Sequence, residues 1–100
     1  MTNADIIIGI DSGTSVIKAV AFDLAGRQLA SASVPNRYAS GQDGSATQSL
    51  DQTWQDCATA LRGLGEKVEG LAQRTAAIAV TAQGDGTWLV DGANRPVADA

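Results

Sequence analysis

Residues 6–23 read IIIGIDSGTSVIKAVAFD, and this stretch decides the fold. Its start, Ile6–Ile10, is almost continuously apolar and β-branched, which favours a strand covered on both faces. Residues 11–14 (DSGT) have turn chemistry, because an Asp side chain can bond its own backbone and glycine tolerates positive φ. Ser15–Phe22 then reads as the returning strand. The stretch predicts two strands with a carboxylate and free backbone N–H groups at their shared end.

A third strand and a loop follow this pair. Residues 23–26 (DLAG) read as a second turn, and Arg27–Val34 interleaves apolar with polar residues. We therefore expect an antiparallel meander of three strands. Residues 35–44 are rich in Gly, Ser and Asn, and they predict a loop.

A helix is predicted after this loop. Ser49 and Gln52 have the spacing of a capping box, so the helix should begin there. Two glycines in its middle predict a break or a tight packing contact. We expect Cys57 to be a buried thiol and Trp54 to lie in the core or in a cleft wall. The apolar residues that follow the helical period are Trp54, Cys57, Ala58, Leu61, Leu64, Val68 and Leu71.

Two further strands are predicted near the end of the chain. Thr75–Thr81 reads as a fourth strand of buried character, and Thr87–Val90 reads as a short fifth strand. A tight Gly-containing loop separates them. The order β-β-β-α-β-β places the chain in the α/β class.

The composition fits a soluble domain. The chain has 100 residues, of which 44% are apolar and 18% charged, and its net charge is −4. It carries no basic patch, so nucleic acid is not an expected partner. Cys57 is the only cysteine, which excludes an internal disulfide and fits a reducing compartment. Ile6–Ile10 is too short for a signal core or a membrane span, so we expect a cytoplasmic protein without a membrane partner.

Asp11, Gly13, Thr14 and Ser15 form the first candidate site. A carboxylate at the end of a buried strand could face a hydrated magnesium ion carried by nucleotide phosphates. Glycine lets the backbone approach a phosphate closely, and the hydroxyl and N–H groups can donate to its oxygens. An Asx turn that only closes a hairpin explains the same residues, and the local pattern leaves both interpretations open.

The second strand and the loop before residue 88 carry further candidates. Lys18 either reaches a transferred phosphoryl group or is an ordinary surface lysine. Gln83 and Asp85 combine an amide with a carboxylate, a pair that can bind vicinal hydroxyl groups, although a plain hairpin turn is the alternative. Trp88 is close enough to line such a pocket or belongs to the core. The chain has no histidine, which excludes a Ser-His or Cys-His catalytic pair within it.

With both candidate sites in view, the chain resembles the N-terminus of the FGGY family of carbohydrate kinases. Residues 8–26 (IGIDSGTSVIKAVAFDLAG) resemble the first phosphate motif of the family, and residues 78–86 (IAVTAQGDG) lie where members carry a substrate-contacting loop. Actin, hexokinases and the large heat-shock chaperones share the first motif more loosely, so the pair is the more specific signal. The resemblance implies an actin-like/ribonuclease H-like ATPase fold, with residues 1–100 as an incomplete part of the N-terminal domain.

The resemblance implies roles for the first motif, with ATP and Mg²⁺ as cofactors. Asp11 would orient the Mg²⁺–ATP complex through water. Gly13, Thr14 and Ser15 would contact the ATP phosphates. Lys18, at a position that is often Arg in relatives, would lie near the transferred phosphoryl group as the catalytic cation.

The second motif implies the acceptor. Gln83, Gly84 and Asp85 would face it, and Trp88 would line its pocket. Members that phosphorylate glycerol have Arg-Glu where this chain has Gly84-Asp85, and members acting on xylulose usually have Met-His. Gly84 leaves room for a slightly longer polyol, and the string QGDGTW is most similar to members that phosphorylate erythritol. The implied substrate is therefore a small polyol or sugar, with erythritol first.

The resemblance covers only one part of such an enzyme. The general-base aspartate, the second phosphate motif and the adenosine site of the family lie outside these residues. We therefore expect the isolated chain to show no significant turnover, while a longer parent would be a kinase. The kinase interpretation requires Asp11 to face a cleft that it shares with Asp85.

Two other functions stay open at this point. One is an actin-like or chaperone-like ATPase domain, which would not need a polyol-binding carboxylate at Asp85. The other is a non-catalytic kinase remnant. The oligomeric state is also open, with a homodimer of the longer parent as one option.

Overall fold

The computed structural model describes residues 4–100, and it has the expected mixture of strands and helices. No helix in this range is both long enough and apolar enough to cross a membrane. The elements in chain order are β1 (Ile6–Ser12), β2 (Val16–Asp23), β3 (Gln28–Pro35), β4 (Ala39–Ser40), β5 (Ala46–Thr47), α1 (Leu50–Lys67), α2 (Leu71–Arg74) and β6 (Thr75–Ala82).

The main sheet has the strand order β3-β2-β1-β6. The first three strands pair antiparallel, which confirms the predicted meander. β6 lies parallel to β1, with Ile8 paired to Ile78 and Ser12 paired to Ala82. Because parallel strands run in the same direction, the segments that follow β1 and β6 leave the sheet at the same edge.

One face of this sheet packs against α1. Side chains alternate along β1, so that Ile6, Ile8 and Ile10 are buried on the α1 side. Ala60 and Leu64 of α1 complete the same core. The helix lies mainly across β2 and β3 and has few contacts with β1. The core is therefore centred on the meander, and β6 lies at its margin.

The start of α1 and its first glycine agree with the sequence prediction. Ser49 Oγ accepts a hydrogen bond from the Gln52 N–H at 3.1 Å, so Ser49 is the N-cap. The helix continues through both of its glycines without a break. A Cβ at Gly63 would lie 3.2 Å from the Ala32 Cβ, which means that α1 approaches β3 closely here. Of the two predicted outcomes, the structure has the tight packing contact.

The end of α1 comes earlier than the apolar pattern predicts. The backbone becomes extended at Val68, and this ends the helix after Lys67. The Val68 N–H still donates to the Leu64 carbonyl at 3.1 Å. Gly70 then takes a positive φ of 69° and turns the chain into the short α2. Leu71, which the pattern placed on α1, therefore belongs to a separate helix that packs on the same core.

The predicted fifth strand, Thr87–Val90, is wrong. Trp88 Nε1 donates to the Asp85 carbonyl at 2.9 Å, which closes the loop on itself. Val90 forms only an isolated bridge with Pro96. These local bonds replace pairing with the main sheet, so the segment is a loop followed by a turn. The loop predicted for residues 35–44 also needs correction, since it contains β4, which pairs antiparallel with β5.

The predicted burial of β1 and β6 on both faces is also wrong for the described residues. Ile7 of β1 is 39% exposed on the face away from α1. All of β6 except Thr75 is exposed, and Val80 retains 66% of its accessible surface. The reason is that α1 covers β2 and β3 and nothing in residues 4–100 covers the opposite face. Apolar composition correctly predicts the strands but not what packs on them.

Candidate functional site

The turn between β1 and β2 spans residues 13–15. Gly13 N–H donates to the Val16 carbonyl at 3.0 Å. A Cβ at Gly13 would lie 2.9 Å from that oxygen, so only glycine fits without a backbone shift. Thr14 and Ser15 are exposed, and within residues 4–100 neither N–H is bonded to a backbone carbonyl. The turn can therefore offer N–H and hydroxyl donors to a ligand such as a phosphate.

Asp11 and Lys18 lie just behind this turn, on the sheet face opposite α1. The two residues are paired directly across β1 and β2, and both are exposed. Thr81 of β6 pairs with Asp11 from the other side, so the three polar side chains share one face. A carboxylate and a cation are thus both accessible to a ligand at this edge of the sheet.

Two buried amides hold the carbonyl side of the turn. Asn36 and Gln48, which are only 6% and 8% exposed, come from the connection between β3 and α1. Asn36 donates from Nδ2 to the Gly13 carbonyl at 2.6 Å and from its backbone N–H to the Ser15 carbonyl at 3.0 Å. Gln48 Nε2 donates to the Thr14 carbonyl at 3.4 Å. All three carbonyl groups of the turn are therefore bonded to the protein.

Gln83 joins this turn to the loop that follows β6. Its backbone N–H donates to the Ser12 carbonyl at 3.1 Å, which extends the pairing of β6 with β1 by one residue. Its side chain donates from Nε2 to Gln48 Oε1 at 2.7 Å and accepts from Thr14 Oγ1 at 3.3 Å. Thr14, Gln48 and Gln83 thus form a closed triangle of hydrogen bonds between three separate segments of the chain.

A cleft of about 390 Å³ opens beside this triangle, and we call it the loop cleft. A Cβ at Gly84, in the adjoining loop, would meet no atom within 4 Å. A carboxylate, two amides and an indole around one small cavity suit a molecule with several hydroxyl groups. The cleft is lined by Thr14, Tyr38, Ala46, Gln48, Gln83, Asp85, Gly86, Trp88 and Ala100.

A larger cleft of about 610 Å³, which we call the α1–β6 cleft, lies between that helix and that strand. Ile78 and Val80 form its sheet wall, while Trp54 and Cys57 contribute from the helix. Trp54 is 75% exposed and therefore belongs to a cleft wall rather than to the core. The expectation of a buried Cys57 thiol is wrong, because the residue is only partly buried on the open side of α1.

The structure brings one part of the predicted site together and leaves another part separate. Thr14, Gln83, Asp85 and Trp88 meet around the loop cleft. Asp11 lines neither cleft, because the alternation of side chains along β1 places it on the face away from α1. The required cleft shared by Asp11 and Asp85 is therefore not formed by residues 4–100. The Thr14 turn lies between the two groups.

Sequence analysis missed the two bracing amides. Asn36 directly follows Pro35 at the end of β3, and Gln48 directly precedes the N-cap Ser49. Neither residue belongs to a hydrophobic period, and neither carries a charge. Their only signal is an amide at an element boundary, which ordinary turns also contain. Their function depends on contacts with residues 23 and 34 positions away, which local pattern does not reveal.

The donor set near the turn fits a hydrated magnesium ion better than a metal held directly by the protein. Within residues 4–100, no three His, Cys, Asp or Glu side chains are grouped so that they could hold a metal. Asp11 is a single exposed carboxylate. Magnesium usually keeps several waters and takes one or two carboxylates together with substrate phosphates. Asp11 beside a phosphate-type turn provides that arrangement.

Comparison with known proteins identifies the family of this chain. Residues 6–100 match the family model described as the FGGY family of carbohydrate kinases, N-terminal domain. The chain is 73% identical over 96 residues to the erythritol kinase of Brucella abortus (strain 2308), covering 96% of this chain and 18% of that protein. It is also 33% identical over 90 residues to a probable L-xylulose kinase of Pasteurella multocida (strain Pm70). This match covers 90% of this chain and 19% of that protein.

A solved structure gives the same result for the fold. The xylulose kinase from Rhodospirillum rubrum matches with a TM-score of 0.84 and 26% identity, over 94% of this chain and 19% of that one. The chain thus spans 18–19% of the length of these relatives. The fold is that of the actin-like ATPases to which these kinases belong. Since the family model matches residues 6–100, the chain belongs to the FGGY family of carbohydrate kinases.

Proposed function

We propose that this chain is the N-terminal part of a cytoplasmic kinase that transfers the γ-phosphoryl group of ATP to a hydroxyl of a small polyol or sugar. In this proposal, residues 1–100 begin the N-terminal domain. The observation that carries the proposal is the contact of Thr14 Oγ1 with Gln83 Oε1 at 3.3 Å. It joins a phosphate-type turn to a loop with a hydroxyl-binding carboxylate, although the two are 69 residues apart.

The nucleotide side of the proposed site is the turn and the face behind it. Thr14 and Ser15 donate hydrogen bonds from their backbone N–H groups to phosphate oxygens, and Gly13, whose own N–H is bonded to the Val16 carbonyl, lets the backbone approach the phosphate closely. Lys18 stabilises negative charge on the transferred phosphoryl group. Asp11 would hold Mg²⁺ through its water ligands, and the ion would neutralise charge that develops on the phosphate oxygens.

The acceptor side is the loop cleft. Asp85 accepts hydrogen bonds from hydroxyl groups of the acceptor, and Gln83 is held in place by Thr14 and Gln48. The Trp88 ring covers the carbon chain of the acceptor. The reacting hydroxyl attacks the γ-phosphorus in line, ADP leaves, and the hydroxyl proton passes to a base outside these residues.

Erythritol is the first candidate for the acceptor. The relative that is 73% identical over almost this entire chain is an erythritol kinase, whereas relatives named for L-xylulose are 30–33% identical. Gly84 supports the same choice, because the space beside it is open. Gly84 adjoins the lining residues Gln83 and Asp85, and no side chain at this position would obstruct a polyol slightly longer than glycerol.

The test is ATP-dependent phosphorylation by the full-length protein that contains this chain. Purified protein is mixed with Mg-ATP and erythritol, glycerol or L-xylulose, and ADP release and the mass of the product are measured. We expect erythritol phosphate as the main product, and the 100-residue chain alone as an inactive control. ATP hydrolysis without transfer to any polyol or sugar would favour the actin-like or chaperone-like alternative and contradict the proposal.

A further inference from the structure

Asn36 and Gln48 take part in neither predicted motif, yet both are buried polar side chains in contact with the candidate site. Each is less than 10% exposed. Buried amides are costly unless they are bonded, and these two use their bonding capacity on the Gly13–Ser15 turn. An apolar side chain at either position could not bond the carbonyl groups of the turn, so the two amides determine how the turn is held.

The direction of these bonds is the informative feature. Backbone carbonyl oxygens carry partial negative charge and would repel a phosphate. Asn36 bonds the Gly13 and Ser15 carbonyls, and Gln48 bonds the Thr14 carbonyl, so all three oxygens face protein donors. The Thr14 and Ser15 N–H groups are bonded to no backbone carbonyl within residues 4–100, so they are left for a ligand, which is the polarity that an anion requires.

Gln48 differs from Asn36 in one respect. Its Nε2 donates to the Thr14 carbonyl, and its Oε1 accepts from Gln83 Nε2 at 2.7 Å. Its backbone is fixed independently by two hydrogen bonds to Ala100, of 2.9 and 2.8 Å. One rigidly held amide therefore contacts the turn and the acceptor loop at the same time, whereas Asn36 contacts the turn alone.

We propose that Gln48 is a positioning residue that couples the phosphate-binding turn to the acceptor-binding loop, while Asn36 positions the turn only. This inference rests on the proposed kinase function, which assigns the turn to ATP and the loop to the acceptor. The coupling itself follows from the hydrogen-bond triangle of Thr14, Gln48 and Gln83. A shift of the acceptor-binding loop is transmitted to the phosphate-binding turn, and the reverse, through the Gln48 amide.

Kinetics of the full-length kinase separate the two residues. Asn36→Leu is expected to raise the KM for ATP about tenfold and to leave the KM for erythritol within about twofold. Gln48→Met is expected to raise both constants about tenfold. Gln48→Glu keeps an acceptor for Gln83 but loses the donor to Thr14, so it should restore the KM for erythritol and not the KM for ATP. Identical effects of Gln48→Met and Gln48→Glu would overturn the proposal.

A thermal double-mutant cycle tests the coupling without any activity. The losses in Tm from Gln48→Met and Gln83→Met should overlap, so that the double variant loses clearly less than their sum. Asn36→Leu and Gln83→Met should add, because the two residues share no bond. Additivity in both pairs would refute the coupling even in an active kinase. If the full-length protein has no kinase activity but the Tm losses of the Gln48 and Gln83 variants are less than additive, the proposed function is refuted and the coupling is retained. Asn36→Ala replaces Asn36→Leu if the leucine variant does not fold.

Discussion

Arg74 binds the Asp5 carboxylate through two hydrogen bonds, from Nε to Oδ1 at 3.0 Å and from Nη2 to Oδ2 at 3.1 Å. The Asp5 N–H also donates to the Arg74 carbonyl at 2.9 Å. Asp5 precedes β1 and Arg74 precedes β6, so the pair joins the starts of the two parallel strands. It lies at the end of the sheet opposite to the candidate site.

This pair makes stability depend on pH in the acid range. The hydrogen bonds from the Arg74 guanidinium, followed by its charge, hold the pKa of the Asp5 carboxyl below its ordinary value of 3.8. The folded pKa is thus lower than the unfolded one, so the stabilisation is present above about 3.8 and is lost as the pH falls through the folded pKa. Arg74→Gln should lower the Tm slightly at neutral pH, because the pair is partly exposed.

The pH dependence identifies the source of this effect. The Tm difference between the wild type and Arg74→Gln should shrink at a pH below both pKa values of Asp5 to the part contributed by the other contacts of Arg74. Arg74 also donates to the Glu69 carbonyl at 3.1 Å, but that bond does not titrate in this range. Arg62→Gln is the matched control, and its Tm difference should not change with pH. A constant difference for Arg74→Gln down to acid pH would contradict the assignment.

The two glycines of α1 should respond oppositely to substitution. A Cβ at Gly65 would be 3.9 Å from Leu71 Cδ2, an ordinary contact, so Gly65→Ala should gain about 1 kcal/mol of helix propensity. A Cβ at Gly63 would already be 3.2 Å from the Ala32 Cβ, and Gly63→Val adds two methyl groups at that point. We expect it to lose about 1–3 kcal/mol through overpacking. Urea denaturation measures both changes, and a stabilised Gly63→Val would show that α1 can move away from β3.

Asp85 and Asp11 should have separable kinetic effects in the full-length kinase. Asp85→Ala removes charged hydrogen bonds to the acceptor, each worth about 1.5–3 kcal/mol, so the KM for erythritol should rise roughly tenfold to a hundredfold. The KM for ATP should change little. Asp11→Asn should instead lower kcat with every acceptor, because it weakens the orientation of the magnesium complex.

An unchanged erythritol KM in Asp85→Ala would remove the acceptor role of the loop cleft. Thr87→Ala is a suitable control, since Thr87 lies in the same loop but does not line that cleft. It should leave both KM values near those of the wild type.

Gly84 offers a test of acceptor size that leaves the fold intact. No atom lies within 4 Å of the position that a Cβ would occupy, so Gly84→Arg should have a Tm close to that of the wild type. The long side chain would fill the open space beside Asp85. We expect kcat/KM for erythritol to fall about tenfold or more relative to that for glycerol. An unchanged ratio would show that Gly84 does not face the acceptor.

Local pattern predicted the meander and the start of α1, because strand alternation and a capping serine act over a few residues. It failed for Thr87–Val90, where the bond between Trp88 and the Asp85 carbonyl holds the segment as a loop. It also failed for the burial of β6, since apolar side chains predict a strand without specifying its partners. The first error arises from a side-chain bond between residues three positions apart, which the apolar pattern does not reveal, and the second arises from long-range packing, about which a short window contains no information.

The candidate site was also predictable from the sequence only in part. The turn at Gly13 was predicted from its turn-forming residues, but the need for glycine there comes from the close Val16 carbonyl and not from a positive φ. The contact between Thr14 and Gln83, which are 69 positions apart, was not predicted, since the family resemblance led only to the expectation of a cleft shared by Asp11 and Asp85. The position of Asp11 on the other face was not foreseen, although strand alternation implies it once Ile10 is known to face α1. Gln48 could be recognised only from the folded chain.

Among the strands of residues 4–100, β6 is paired with β1 alone, and its residues Thr75–Ala82 include neither a charge nor a proline. Uncharged border strands of this kind present unsatisfied backbone groups that can template the addition of strands from other molecules. Produced by itself, the 100-residue polypeptide is therefore prone to aggregate at high concentration. A lysine at Ala79, on the face remote from α1, would counter that tendency and give laboratories a more soluble version to study.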